Sequence, residues 1–151
     1  MPELSFDDLR EKAVRFIGLR QNKSSGQVRL RLERENANGQ LIEAVIDYLR
    51  DIDYIDDFRA GRAMMRNYQG RRLRSRLAVQ YELKQKGVPG KIAAELAEEL
   101  PTDYDSACEL VQVCFPNPSV IDRQQINNLL RSRGYDYSLA REIIDKYFAE
   151  K

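Results

Sequence analysis

Residues 79–100, VQYELKQKGVPGKIAAELAEEL, decide the fold. Apolar side chains fall at Val79 and Leu83 and then, across Gly87, at Val88, Ile92, Leu96 and Leu100. Steps of four on both sides of a glycine describe two short amphipathic helices and the break between them. The same seven positions recur 51 residues earlier as Val28, Leu32, Asn36, Ala37, Leu41, Val45 and Leu49. They recur 47 residues later as Ile126, Leu130, Gly134, Tyr135, Leu139, Ile143 and Tyr147. Gly or Asn stands where a helix C-cap needs a left-handed residue, which these two tolerate best. Lys86 and Arg133 precede the two glycines and favour the negative end of their helices, whereas the first copy has Glu35 there and should cap more weakly. The pattern is an internal repeat. An alanine at Gly87 is expected to cost roughly 1 kcal/mol.

A further helix precedes each hairpin. Ser5 is a candidate N-cap with Asp8 three residues on, and Leu9, Ala13, Phe16 and Ile17 line one face of a helix over 6–22. Ser24, Ser25 and Gly26 break the chain, a second helix runs to about Arg34, and a third covers about 40–50 after a turn at 36–39. The next triplet is read as 57–69, with Met64, Met65 and Tyr68 as apolar contacts, an Arg-rich helix over 71–86, and a helix to Leu100. Pro89 suits the start of that last helix and Pro101 ends it. The final triplet is 104–115, a Pro116-Asn117-Pro118 loop, 120–133 and 137–149. No segment alternates apolar and polar residues over strand length, so the class is all-α. The expected organisation is three tandem three-helix units, 1–52, 53–101 and 102–151.

Charge is distributed as unevenly as the apolar pattern is regular. The chain carries 25 Lys and Arg against 24 Asp and Glu. Between 58 and 91, however, Arg59, Arg62, Arg66, Arg71, Arg72, Arg74, Arg76, Lys84, Lys86 and Lys91 face a single acid, Glu82. Acidic flanks at 43–57 and 95–109 restore the balance. Such a block contacts a polyanion or an acidic protein surface, or else is a solvated face neutralised by its flanks. On a helix over 71–86, Arg72 and Arg76 would share a face, as would Arg62 and Arg66 on the helix before it. Tyr81 lies beside the basic run and is the tyrosine placed to stack on a nucleic-acid base. Tyr135 and Tyr147 occupy pattern positions and read as core.

The composition argues against catalysis. There is no histidine, and two cysteines alone cannot make a four-ligand zinc site. Cys108 and Cys114 are six apart on one expected helix and point to different faces, so no internal disulfide is expected. Gly70-Arg71-Arg72 matches neither a phosphate loop nor a dinucleotide fingerprint. No metal or cofactor is expected. Neither an apolar run of about 18 residues nor a signal peptide is present, which reads as a cytoplasmic protein. The hairpins also invite comparison with a helix-turn-helix reader. The helix after the middle turn, however, offers Lys91 as its cation beside three glutamates, which disfavours base-specific recognition. Contact with phosphates without sequence preference remains open.

Asp56-Asp57-Phe58-Arg59-Ala60, then Tyr81-Glu82-Leu83-Lys84-Gln85-Lys86-Gly87-Val88, then Ala94-Glu95-Leu96 with Leu100 resemble the central module of the RecX regulatory proteins. The resemblance extends over essentially the whole chain, since that family is also built of tandem three-helix repeats. One departure is Ser75-Arg76-Leu77-Ala78, where the family usually has a Gly-Tyr-Gly-Pro-like turn. The boundary between the first two helices of the middle unit, and the direction of its arginines, stay open there. The resemblance implies an elongated, curved, monomeric insert in the groove of a RecA–DNA filament. It implies a non-enzymatic modulator that suppresses ATP hydrolysis, strand exchange and co-protease activity in DNA repair and the SOS response. The alternative is an independent helical DNA-binding protein that needs no recombinase.

Overall fold

The computed structural model describes residues 4–117 and 122–149. The regular elements among them are helical: α1 (Phe6–Ile17), α2 (Ser25–Glu33), α3 (Gly39–Asp51), α4 (Asp57–Met65), a 3-10 turn (Gly70–Arg72), α5 (Arg76–Gln85), α6 (Gly90–Ala97), α7 (Asp103–Cys114), α8 (Arg123–Ser132) and α9 (Tyr137–Ala149). Pro118 of the expected loop and the expected helix start at Val120 lie outside the described residues. No helix among the described residues is long and apolar enough to cross a membrane.

Local chemistry sets the ends of these helices. The Ser5 hydroxyl accepts the Asp8 N–H while the Asp8 carboxylate accepts the Ser5 N–H, so α1 opens on a capping box. Gly18, at φ 74°, stops α1 at Ile17, short of the expected 22. Ser24 and Gln27 form a second capping box at α2. Asn36, Gly87 and Gly134, the central positions of the threefold pattern, have φ of 57°, 90° and 87°. All three are the left-handed residues that the spacing called for. The apolar positions around them, from Val28 and Leu32 to Val79, Leu83, Val88, Leu96, Ile126, Leu130, Tyr135 and Ile143, are buried.

The chain packs as two compact units, one drawn from 1–64 and 82–96 and the other from 65–81 and 97–151. Leu9, Ala13 and Ile17 of α1, Val28 and Leu32 of α2, Ile42, Val45, Ile46 and Leu49 of α3 and Ile55 form the core of the first. Two glycines meet there: the Gly26 N–H donates to the Gly87 carbonyl at 3.0 Å, and the Ser24 hydroxyl donates to the Lys86 carbonyl at 2.8 Å. The neighbouring Ser25 N–H donates to the buried Asp57 carboxylate at 2.7 Å, with Arg50 3.6 Å away. In the second unit, Leu73 joins Ala107, Leu110, Val111, Ile126, Leu130, Tyr135, Ala140, Ile143 and Ile144. The Tyr135 phenol, bonded to Ser106 at 2.7 Å, is pushed up to about 12 by its burial. Ser75 and Arg76, 51 residues after Ser24 and Ser25, bond to corresponding partners: the Ser75 N–H, in place of the Ser24 hydroxyl, donates to the Arg133 carbonyl, and the Arg76 N–H donates to the Asp103 carboxylate. A β-carbon on Gly134 would lie 2.8 Å from that of Ala78, just as one on Gly87 would lie 2.6 Å from the Ser24 hydroxyl.

Two expected helices in the middle of the chain are also corrected. The Arg-rich helix over 71–86 begins only at Arg76, and α4 ends at Met65 rather than 69. Leu73 adopts extended backbone, φ −57° and ψ 142°, which carries its side chain into the core of the second unit. The Ser75 hydroxyl then accepts the Ala78 N–H and opens α5. Arg72 and Arg76 therefore do not share a helical face.

Candidate nucleic-acid interface

In the second unit the basic residues sit on a turn pinned at both ends. Tyr68 and Leu73 are each buried to 8% exposure, and the four residues between them hold the 3-10 turn. Gly70, at φ 58°, starts that turn, and its carbonyl accepts the Leu73 N–H. Anchoring both ends turns the residues between them outward. Arg66, Arg71 and Arg72 are exposed, and their guanidiniums make no hydrogen bond or ion pair among the described residues. A guanidinium without a protein partner retains all five of its donors for a ligand.

Other members of the expected set are already engaged. Arg76 donates to the Leu100 carbonyl and the Glu98 carbonyl and pairs with the Glu98 carboxylate, while Asp103 holds its backbone N–H. It closes the chain just after α6, where a cation is favoured by the exposed carbonyls. Arg74 is half-buried with its guanidinium 5.7 Å from the Tyr68 ring centre. Tyr81 is 63% exposed on α5, and Leu77, one turn earlier, is 72% exposed. Sequence reading missed Arg133 as a member of this region. Its Nη1 donates to the Arg71 carbonyl, and Leu73 also accepts from it at 3.4 Å, which adds a cation to the back of the turn. The two residues are 62 apart, so no local pattern could have joined them.

The first unit holds the remaining candidates. Arg59 is structural in its contacts: Nε donates to the Gln21 carbonyl at 2.9 Å, and Nη2 donates to the Asp53 and Tyr54 carbonyls. These bonds tie α4 to the turn after α3. Arg62 lies over the Phe58 ring at 5.6 Å. Lys84, Lys86 and Lys91 are exposed near the α5–α6 turn, and their ammonium groups make no bond among the described residues. Neither Cys108 nor Cys114 is in a disulfide, and no group of three or more His, Cys, Asp or Glu among the described residues could hold a metal ion.

No family model matches the chain. Six curated proteins named regulatory protein RecX are similar to it along most of its length. That of Prosthecochloris aestuarii is 26% identical over 141 residues, covering 89% of this chain and 90% of the relative. That of Pelodictyon phaeoclathratiforme is 29% identical over 132 residues, covering 83% and 79%. The crystal structure of RecX from Lactobacillus salivarius shares the fold, with a TM-score of 0.74 at 20% identity over 93% of this chain and 95% of that one. The sequence similarity along nearly the full length and the shared fold together support a RecX-like protein.

Proposed function

We propose that the protein is a non-enzymatic regulator of a RecA recombinase. It binds the filament that RecA forms on DNA and lowers ATP hydrolysis, strand exchange and co-protease activity in DNA repair and the SOS response. Three three-helix repeats, 1–52, 53–101 and 102–151, carry it. That division describes repetition in the chain, whereas the two packed units describe which residues touch. The observation that carries the reading is the pinned turn with its uncommitted guanidiniums at Arg71 and Arg72, with Arg66 just before it, on a chain of RecX type. Free guanidiniums on a fixed backbone suit phosphate oxygens without regard to base sequence. Lys84, Lys86 and Lys91 add phosphate or carboxylate contacts in the first unit, and the protein acts in the cytoplasm as a monomer without a cofactor.

The test is a binding assay in which recombinase, DNA and ATP are omitted in turn. Tight binding that requires all three supports the filament as target. Equal binding to naked DNA supports the independent DNA-binding alternative instead. Absence of binding in every arm at low salt overturns both.

A further inference from the structure

The most promising uncommitted chemistry outside the basic turn lies in the second unit between α8 and α9. A groove of about 380 Å³ is lined there by Arg123, Gln124, Asn127, Tyr137, Arg141 and Ile144. Two of these are spoken for: Arg123 pairs with Asp145 and lies over the Phe148 ring, and the Gln124 amide donates to Asn128. Three polar groups are not. The half-buried Asn127 amide, the Tyr137 hydroxyl and the exposed Arg141 guanidinium make no hydrogen bond or ion pair among the described residues. The Asn127 side-chain polar atoms are not among the buried unsatisfied ones, so its donor and acceptor are open to solvent and to a ligand that replaces it. Tyr137 is 55% exposed, with the Arg131 guanidinium 5.9 Å from its ring centre, and Ile144 is buried at the base.

We propose that this groove is a subsite for one nucleotide of single-stranded nucleic acid. The base lies on the Tyr137 ring with its edge on the Asn127 amide, and its phosphate is held by Arg141. Tyr137 and Arg141 are one helical turn apart, about 6 Å along the axis, a span over which one nucleotide carries both base and phosphate. An aromatic face, an amide that both donates and accepts, and one free guanidinium match base face, base edge and phosphate in turn. An acidic peptide fits less well. It would meet the Asp145 carboxylate beside Arg123 and would leave the Tyr137 ring without a planar partner. The subsite rests on the DNA-binding part of the proposed function and extends it to the third hairpin.

The test is fluorescence anisotropy of the full-length protein on a short oligothymidylate at low salt, repeated on an abasic oligonucleotide of equal length. Tyr137→Ser should weaken oligothymidylate binding about fivefold and leave abasic binding unchanged. Arg141→Gln should weaken both. Arg34→Gln, an exposed arginine of the first unit, should alter neither, and circular dichroism should show all variants folded. The subsite is refuted if Tyr137→Ser and Arg141→Gln bind oligothymidylate as the wild type does, or if Tyr137→Ser loses abasic binding equally. Polyglutamate that competes as well as abasic DNA also overturns it, in favour of an acidic peptide. A double variant Arg71→Gln and Arg72→Gln separates the two claims. If it loses affinity while the groove variants do not, the subsite falls and the proposed function stands. If the wild type binds no DNA at all, the subsite and the DNA part of the proposed function fail together.

Discussion

Replacing Gly87 with alanine tests the packing of the repeated hairpin. The residue has φ of 90°, so any β-carbon is disfavoured by about 1 kcal/mol before neighbours are counted. Neighbours then add more. The new carbon would sit 2.6 Å from the Ser24 hydroxyl, and 2.7 Å and 2.9 Å from the Gln27 nitrogen and Gly26 carbonyl carbon, backbone atoms that cannot swing away. Separation there stretches the Gly26–Gly87 and Ser24–Lys86 hydrogen bonds, each worth about 1 kcal/mol. The total is about 3 kcal/mol, well above the 1 kcal/mol that cap conformation alone implies. Gly70→Ala is the control, since φ there is 58° but nothing lies within 4 Å of the added carbon. It should lose only the backbone part, about 1 kcal/mol. With a urea slope of about 2 kcal/mol per molar, the two midpoints should differ by about 1 M. Midpoints within about 0.3 M of each other would refute the close-approach argument.

Further outcomes follow from particular side chains. Arg76→Ala should lower stability by about 1–3 kcal/mol, because its guanidinium closes the chain after α6. Arg72→Ala should change stability by less than about 0.5 kcal/mol yet reduce the salt dependence of DNA binding; chemical denaturation and a salt titration separate the pair. Tyr135→Phe should remove an alkaline sensitivity. The folded phenol titrates near about 12 against about 10 when unfolded, so its stabilisation is full below 10 and is lost as pH rises through 12. In an ultraviolet phenolate titration, the variant should lack a late-ionising tyrosine, and unfolding between those two values should become less steep.

The fold was legible where a rule of period and a rule of backbone conformation coincide. Steps of four marked the buried faces, and Asn36, Gly87 and Gly134 marked the left-handed breaks, because both signals are local. The stretch 66–75 was not legible for the opposite reason. Leu73 leaves the helix to reach a core built from α7, α8 and α9, and Ser75 starts α5 in register with an acid, Asp103, that lies beyond the next helix. Local propensity favours helix there, and tertiary packing overrides it. The same distance effect sorted the arginines. By sequence, Arg59, Arg72 and Arg76 are alike; in the folded chain, carbonyls at Gln21, Tyr54, Glu98 and Leu100 occupy the first and last of them. Membership of the basic block could be read from the chain. Availability could not, because it depends on where remote carbonyls end their helices and turns.

The central claim is that the chain acts on a recombinase filament, and the DNA-dependent ATPase of its cognate RecA tests it most directly. Filament growth is cooperative, so occupancy of one end or gap affects many subunits. Inhibition is therefore expected at amounts below one protein per recombinase protomer. The triple variant Arg66→Gln, Arg71→Gln and Arg72→Gln should inhibit less while keeping its helical signal. ATP hydrolysis that is unchanged by the wild-type protein at low salt, or that falls only when enough protein is present to coat the DNA and recovers with excess DNA, would contradict the account.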